Sequence, residues 1–148
     1  MGPGPRGSAL APRTPAHILL VDDEAAFRFA AGVALRRDGY RVEEASDGKE
    51  ALGKALSSRD AGDPFLLVVT DIRMPVMSGI ELIDALREHG VGTALCAITC
   101  FGDRALVSEL AGKGCTDYLE KPFAPEDLLK RVGEMLGKDR EGTRRNGG

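Results

Sequence analysis

Residues 65–79, FLLVVTDIRMPVMSG, contain a continuous apolar run that ends at an acidic residue and a turn. The run at 65–70 is the most apolar strand-like segment of the chain, and its turn-forming neighbours predict a buried strand. The turn at 74–79 follows, and the pattern over 79–88 predicts a helix. The stretch therefore predicts a strand, a turn and a helix, with Asp71 directly after the strand.

The same alternation of strand and helix continues through residues 17–136. An apolar run at 17–21 is stopped by Asp22 and Asp23, and residues 40–45 alternate as an edge strand does. The remaining predicted elements are helices at 24–38, 47–57, 103–114 (capped by Asp103 and closed by Gly114) and 125–136, strands at 94–98 and 116–120, and a loop over 57–64. Five strands that alternate with five helices predict an α/β fold with a doubly wound parallel sheet and right-handed crossovers.

Length and composition fit one domain with two tails. The chain has 148 residues, of which 43% are hydrophobic, and this is enough for one core. We expect residues 1–16, with four prolines and three glycines, to be a disordered leader or linker, and 137–148 to be a disordered tail. The domain itself is predicted over 17–136. The twelve residues after 136 are too few for a further domain, so the chain is either a stand-alone protein or a piece of a larger one.

Charge and cysteine content exclude several classes of protein. The net charge is −3, and residues 17–136 carry 14 basic and 21 acidic residues, a net of −7, which argues against direct binding of nucleic acid. Three cysteines match neither a disulfide framework nor a zinc spacing. The sequence also lacks an apolar stretch of membrane-spanning length and the apolar core of a signal peptide. We therefore expect a cytoplasmic protein without a membrane-bound segment.

Polar residues directly follow four of the predicted strands. They are Asp22 with Asp23, then Asp71, Thr99 and Lys121. In an open parallel sheet the ligand site lies beyond the carboxyl ends of the strands, at the point where the strand order reverses. If the first and third strands are neighbours, about 4.8 Å apart, the three carboxylates meet there.

Three carboxylates at close range require either a raised pKa or a divalent cation. Oxygen ligands favour Mg2+, with Mn2+ as an alternative, and Mg2+ characteristically takes a phosphate oxygen as a further ligand. Lys121 would add a positive charge and Thr99 a hydroxyl donor, which is what phosphoryl transfer needs. Taken singly, each aspartate could be a helix N-cap or a loop residue, and only their convergence favours a site.

The four motifs LLVDDE, VVTDIRMPVMSGIEL, AITCFGD and DYLEKPF resemble those of the receiver domain of two-component response regulators, and the resemblance covers about 17–136. It implies a flavodoxin-like sheet with strand order 2-1-3-4-5. It also implies that Asp71 is the phosphorylated residue, that Asp23 binds Mg2+ directly, that Asp22 assists, and that the backbone carbonyl of Arg73 completes the metal shell.

The resemblance further implies a switch and its partners. Lys121 and Thr99 would contact the phosphoryl group, and Tyr118 would turn inward as Thr99 moves. The face formed by helix 4, strand 5 and helix 5 would then bind a downstream target or effector domain, and any dimer is expected to be symmetric. The phosphodonor would be a sensor histidine kinase or a histidine phosphotransfer protein. Pro122 would follow a cis peptide bond.

Four residues depart from the family pattern or occupy variable positions. Cys100 stands where a smaller residue is usual, and we expect its thiol to pack as a small apolar group. Leu66 replaces a frequent acidic residue and is expected in the core. Arg73 and Phe101 flank the predicted site, where a long cation and a bulky ring would change the access of water to an acyl phosphate.

Three other functions compete with that of a phosphorylated switch without enzymatic turnover. An aspartate-nucleophile phosphatase would need a second acid two residues after Asp71, and that position is Arg73. An interaction module that works without phosphate would have no need of the acidic cluster. A redox role would need a cysteine of lowered pKa, for which the sequence gives no strong signal.

Overall fold

The computed structural model describes residues 15–137, in which five strands alternate with five helices. The predicted leader and tail therefore lie almost entirely outside the described residues, and their boundaries stay predictions. In chain order the elements are β1 (His17–Val21), α1 (Ala25–Arg37), β2 (Arg41–Ala45), α2 (Gly48–Asp60), β3 (Leu67–Asp71), α3 (Gly79–Glu88), β4 (Ala94–Cys100), α4 (Arg104–Gly112), β5 (Asp117–Lys121) and α5 (Pro125–Leu136).

The five strands form one parallel sheet in the order β2-β1-β3-β4-β5. This confirms the predicted α/β class and the order 2-1-3-4-5. The register pairs Val21 with Thr70 and Cys100 with Lys121, so the carboxyl ends of the strands lie along one rim. None of the helices described between residues 15 and 137 is long and apolar enough to cross a membrane.

Helices cover both faces of the sheet and create two separate cores. Alternate residues of β1 divide between them, with Leu19 and Val21 in one core and Ile18 and Leu20 in the other. Helices α2, α3 and α4 contribute buried residues to the first core, and α1 and α5 contribute to the second. All five residues of β1 are buried because the strand is covered on both sides, as parallel sheets require.

Several element boundaries differ from the predictions. Helix α2 continues to Asp60, three residues past the predicted end, because nothing before Gly62, with φ +81°, interrupts it. The prediction that the loop begins at residue 57 was therefore wrong, because residues 57–60 belong to α2. Helix α4 is capped by Asp103, as predicted, but ends at Gly112, and Gly114, with φ +84°, follows the cap residue.

Leu66 is not a core residue, contrary to the prediction. Its side chain is 52% exposed, whereas the preceding Phe65 is buried against His17, with ring centroids 4.2 Å apart. Leu66 lies just before β3, where its backbone already pairs with both neighbouring strands, donating to the His17 carbonyl and accepting from the Ala94 amide. The backbone is held in the sheet while the side chain faces outwards, so hydrophobicity alone misassigned it.

The turn between β3 and α3 packs tightly under the rim. Ser78 and Glu81 form a reciprocal capping box at the start of α3, and the Gly79 amide donates to the Ile72 carbonyl at 2.9 Å. A Cβ atom on Gly79 would lie 2.5 Å from the carbonyl oxygen of Asp71, so only glycine fits there. The Lys121–Pro122 peptide bond is cis, as the resemblance implied.

Candidate functional site

Three carboxylates meet at the carboxyl rim of the sheet. Asp22 and Asp23 follow β1, Asp71 ends β3, and one oxygen of each lies within 4.8 Å of the other two. Asp22 is buried, Asp71 is half-buried and Asp23 is exposed, so the cluster runs from the interior to solvent. The geometry follows from the pairing of β1 with β3, which makes these two strand ends neighbours.

Asp22 is fixed by donors on both oxygens. Oδ1 accepts a bond of 2.8 Å from the Glu24 amide, and Oδ2 lies 3.2 Å from Nζ of Lys121. Burial raises the pKa of Asp22, and the charge of Asp71 acts in the same direction, although the Glu24 amide and Lys121 oppose them. The buried carboxylate therefore depends on nearby positive charge to remain ionised.

Lys121 supplies that charge from the end of β5. Its Nζ lies 3.1 Å from Glu24 Oε1 and 3.6 Å from Asp71 Oδ2, in addition to its contact with Asp22. Burial acts to lower the pKa of Lys121, but the bonds with Glu24 and Asp22 outweigh it and the pKa is raised. Lys121 thus stays an ammonium ion that bridges the acids of β1 and β3.

Two residues of this site were missed from the sequence. Glu24, the third acid of the run that follows β1, binds Lys121, although only Asp22 and Asp23 were singled out. Phe27 of α1 packs against the second core, and its ring also lies 4.6 Å below the Lys121 ammonium and edge-on to Phe123. The acidic run DDE was a usable signal for Glu24, whereas nothing in the sequence marked Phe27.

Thr99 and Tyr118 lie on the strands beyond Asp71. Thr99 is buried near the end of β4, next to the pairing of Asp71 with Ile98, and its hydroxyl is 3.5 Å from the Leu119 carbonyl. At that distance the bond is weak, so the hydroxyl is not tightly held. Tyr118 is half-buried in β5 and borders two surface cavities, beside α4 and α5.

Arg73 makes two separate contacts. Its backbone contacts the acidic site, and its side chain contacts the N-cap of α4. Its amide donates to Asp71 Oδ1 at 3.2 Å, and its guanidinium donates to Asp103 Oδ2 at 2.5 Å. The other oxygen of Asp103 caps α4 by accepting from the Leu106 amide at 3.3 Å. The function predicted for the Arg73 carbonyl, as a metal ligand, remains a proposal.

The three cysteines are free thiols, and Cys100 is not packed as predicted. Cys100 is exposed at the last position of β4, whereas Cys96 and Cys115 are buried. Burial raises the pKa of the Cys96 thiol to about 12, and it raises that of Cys115 as well. Both buried thiols are therefore protonated and unreactive. Phe101, the residue after Cys100, is 83% exposed.

The donor atoms of the acidic cluster suit a hard divalent cation. They are all carboxylate oxygens, grouped within 4.8 Å and open to solvent on the Asp23 side. Such a set fits Mg2+ or Mn2+ and not a soft metal, because these ions prefer oxygen ligands and retain water. The receiver domains that this site resembles generally bind Mg2+.

Comparison with known proteins gives the class of the chain. Residues 18–133 match the family model of the response regulator receiver domain, so the chain belongs to this family. Among curated relatives, it is 41% identical over 125 residues to the response regulator MprA of Mycolicibacterium vanbaalenii, covering 82% of this chain and 51% of that protein. It is also 34% identical to the transcriptional regulatory protein ResD of Bacillus subtilis, covering 80% of this chain and 47% of that protein. The chain thus spans about half the length of these relatives.

Solved structures confirm the fold. The chemotaxis response regulator CheY4 of Vibrio cholerae superposes with a TM-score of 0.75 at 37% identity, covering 83% of this chain and all of that one. The receiver domain of the Francisella response regulator 1452 gives a TM-score of 0.72 at 26% identity, with 84% of this chain and 98% of that one covered. The similarity therefore spans the whole five-stranded sheet.

Proposed function

We propose that this chain is the phosphoacceptor of a two-component phosphorelay and that Asp71 carries the phosphoryl group. The observation that supports it best is the meeting of three carboxylates within 4.8 Å, with Lys121 Nζ 3.6 Å from Asp71 Oδ2. The phosphodonor is the phosphohistidine of a sensor histidine kinase or a histidine phosphotransfer protein. Asp22, Asp23, Asp71 and the Arg73 carbonyl hold Mg2+, or Mn2+ in its place.

The reaction is a direct transfer between donor and acceptor. An oxygen of Asp71 forms a bond to phosphorus, the phosphorus–nitrogen bond of the donor breaks, and its electron pair stays on the imidazole. Asp22, Asp23 and the Arg73 carbonyl would hold a divalent cation there, which would neutralise charge on the transferring group. Lys121 adds a positive charge beside the transferring group, and Thr99 donates its weakly held hydroxyl to a phosphoryl oxygen.

Phosphorylation then changes the surface beside β5. Movement of Thr99 towards the phosphoryl group leaves room for Tyr118 to turn inward, and Tyr118 borders cavities of about 420 and 700 Å³ on either side of its strand. We propose the α4, β5 and α5 face as the surface that binds a downstream protein or effector domain, or a second copy in a symmetric dimer. Direct nucleic-acid binding by this chain is not expected, and a cytoplasmic location stays a prediction.

The alternative functions fit the site less well. A phosphatase with turnover needs an acid in place of Arg73, and here the guanidinium is paired with Asp103. A phosphate-independent module gives no reason for an acidic cluster beside the ammonium of Lys121. The chain is therefore proposed to assist its own phosphorylation and dephosphorylation without acting on other substrates.

Incubation with acetyl phosphate tests the proposal. Mass spectrometry should find one added phosphoryl group, on Asp71, only when Mg2+ or Mn2+ is present. The Asp71→Asn variant should remain unlabelled, whereas Asp60→Asn, which changes an aspartate at the far end of α2, should be labelled like the wild type. Labelling that persists in Asp71→Asn, or that ignores the cation, would contradict the proposal.

A further inference from the structure

Arg73 is the one described residue that binds both the acceptor carboxylate and the N-cap of α4. Its backbone amide donates to Asp71 Oδ1, and its guanidinium donates to Oδ2 of Asp103. Asp103 in turn caps α4 through Oδ1. A cation two positions from the acceptor is thus held away from it by a carboxylate of the neighbouring loop.

The pairing of Arg73 with Asp103 is easy to break. The Arg73 side chain is 67% exposed and that of Asp103 is 18% exposed, so water screens the guanidinium and the pair contributes only modest net stability. Helix α4 keeps its N-cap when the guanidinium leaves, because the other oxygen of Asp103 still accepts from the Leu106 amide. The guanidinium can therefore exchange partners while α4 stays folded.

A phosphoryl group on Asp71 is a stronger partner than Asp103. It carries close to two negative charges and three acceptor oxygens, and a guanidinium binds such a group through two parallel bonds. Lys121 cannot balance this charge alone, because its ammonium already binds Asp22 and Glu24 as well as Asp71. Even with a divalent cation bound, Asp22, Asp23, Glu24 and the phosphoryl group together carry more negative charge than that cation and Lys121 supply. The Arg73 amide contacts Asp71 at Oδ1, the oxygen opposite the one nearest to Lys121, so its guanidinium starts on the side of the acceptor that Lys121 does not reach.

We propose that the Arg73 guanidinium leaves Asp103 and binds the phosphoryl group, acting as a second cation of the phosphorylated site. This inference rests on the proposed function of Asp71. It adds a consequence for α4, since the exchange releases the N-terminal end of the helix from the β3–α3 loop. The C-terminal side stays attached to α3 through Lys113 and Asp84, which are 2.9 Å apart.

Beryllofluoride, a phosphoryl mimic, allows the exchange to be measured by titration in the presence of Mg2+. The Asp103→Asn variant keeps a good N-cap but loses the charge that holds Arg73. We expect its affinity for the mimic to rise about two- to fivefold, the factor that corresponds to an ion pair with one exposed partner. Arg73→Ala should bind the mimic more weakly, and Asp103→Asn should have no further effect in the Arg73→Ala background.

A matched control and a second measurement separate this exchange from a general effect on stability. Asp84→Asn removes the ion pair that attaches the C-terminal end of α4 to α3, and it should leave the affinity unchanged. In NMR spectra, the Nε–Hε signal of Arg73 should shift on addition of the mimic to the wild type. It should shift less on addition to Asp71→Asn.

The outcomes distinguish the two proposals. If the wild type binds no beryllofluoride, the proposed function fails and this inference fails with it. If the wild type binds it but Asp103→Asn binds equally well, only the exchange of Arg73 is refuted. An effect of Asp103→Asn that persists in the Arg73→Ala background would also refute the exchange, because it could not act through Arg73.

Discussion

Nζ of Lys121 lies 3.2 Å from Oδ2 of Asp22, although 99 positions of sequence separate the two residues. The contact crosses the sheet from the end of β5 to the end of β1, passing the end of β3, where Asp71 lies. It holds a buried carboxylate in its ionised form next to two other acids. Stability is therefore sacrificed at this rim, as is common at functional sites.

The first prediction concerns Asp22 and pH. Because burial raises its pKa above the ordinary 3.8, the folded chain binds this proton more readily than the unfolded chain. The carboxyl therefore favours folding at low pH, and this contribution is lost as pH rises through the pKa of the folded state. Without divalent cations, Asp22→Asn should raise the free energy of unfolding by about 1 kcal/mol at neutral pH.

Urea unfolding across a range of pH measures this difference. The difference in the free energy of unfolding between Asp22→Asn and the wild type should shrink towards zero as the pH falls to 3.8, the ordinary pKa of an aspartate. Asp23→Asn, at the exposed end of the same cluster, should change stability by less than about 0.5 kcal/mol. If Asp22→Asn instead lowered the free energy of unfolding at neutral pH, burial of the ionised Asp22 carboxylate would not be a net cost to stability.

The second prediction concerns the backbone under Asp71. Gly79→Ala places a methyl group 2.5 Å from the Asp71 carbonyl oxygen, so the β3–α3 turn must move. We expect a loss of about 2 kcal/mol or more, together with weaker beryllofluoride binding. Gly53→Ala in α2, where a Cβ meets nothing within 4 Å, should instead gain about 0.5–1 kcal/mol. Equal effects of the two substitutions would contradict this account.

A third prediction follows from the backbone of Val76. This β-branched residue has φ +70°, in the left-handed region, and its side chain is 76% exposed. Val76→Gly should therefore stabilise the chain by about 1 kcal/mol, because strain of this kind costs of that order and little packing is lost. Thermal unfolding measures the gain. Val33→Gly, within α1, is the matched control and should lose at least about 1 kcal/mol.

The fourth prediction concerns the thiols. An aromatic disulfide reagent should react quickly with Cys100, which is exposed, and slowly with Cys96 and Cys115, which are buried. Burial holds the pKa of Cys96 at about 12, so almost no thiolate forms at neutral pH. Cys100→Ser should abolish the fast phase, and all three thiols should react in denaturant. A fast phase that survives Cys100→Ser would show that one of the buried thiols is accessible.

Elements with strong terminal signals could be predicted to the residue. Helix α3 begins at a capping box and α5 begins with Pro125, and the predicted ranges 79–88 and 125–136 are both confirmed. Strand β1 stops where an apolar run meets Asp22. These signals are local, since a cap or a charge after an apolar run depends on neighbours in the chain.

The errors arose where the outcome depended on distant neighbours. Leu66 lies just before β3 and Cys100 is the last residue of β4, and both are exposed, which the hydrophobicity of their side chains does not reveal. The convergence of the aspartates followed from the strand order, which was taken from the resemblance and not from the residues themselves. The pairing of Arg73 with Asp103 joins two loops and leaves no periodic signal.

Burial is distributed unevenly across the sheet. Every residue of β1 is buried, while each of the five residues of β5 is only half-buried. Local opening costs less free energy where fewer apolar contacts are lost, so β5 amides should exchange their hydrogens well before those of β1 and β3. Asp71 therefore lies on the rigid central strand β3, whereas Tyr118 lies on the edge strand β5, which opens more easily. A phosphoryl group on Asp71 would need to displace only β5, the strand whose displacement costs the least free energy.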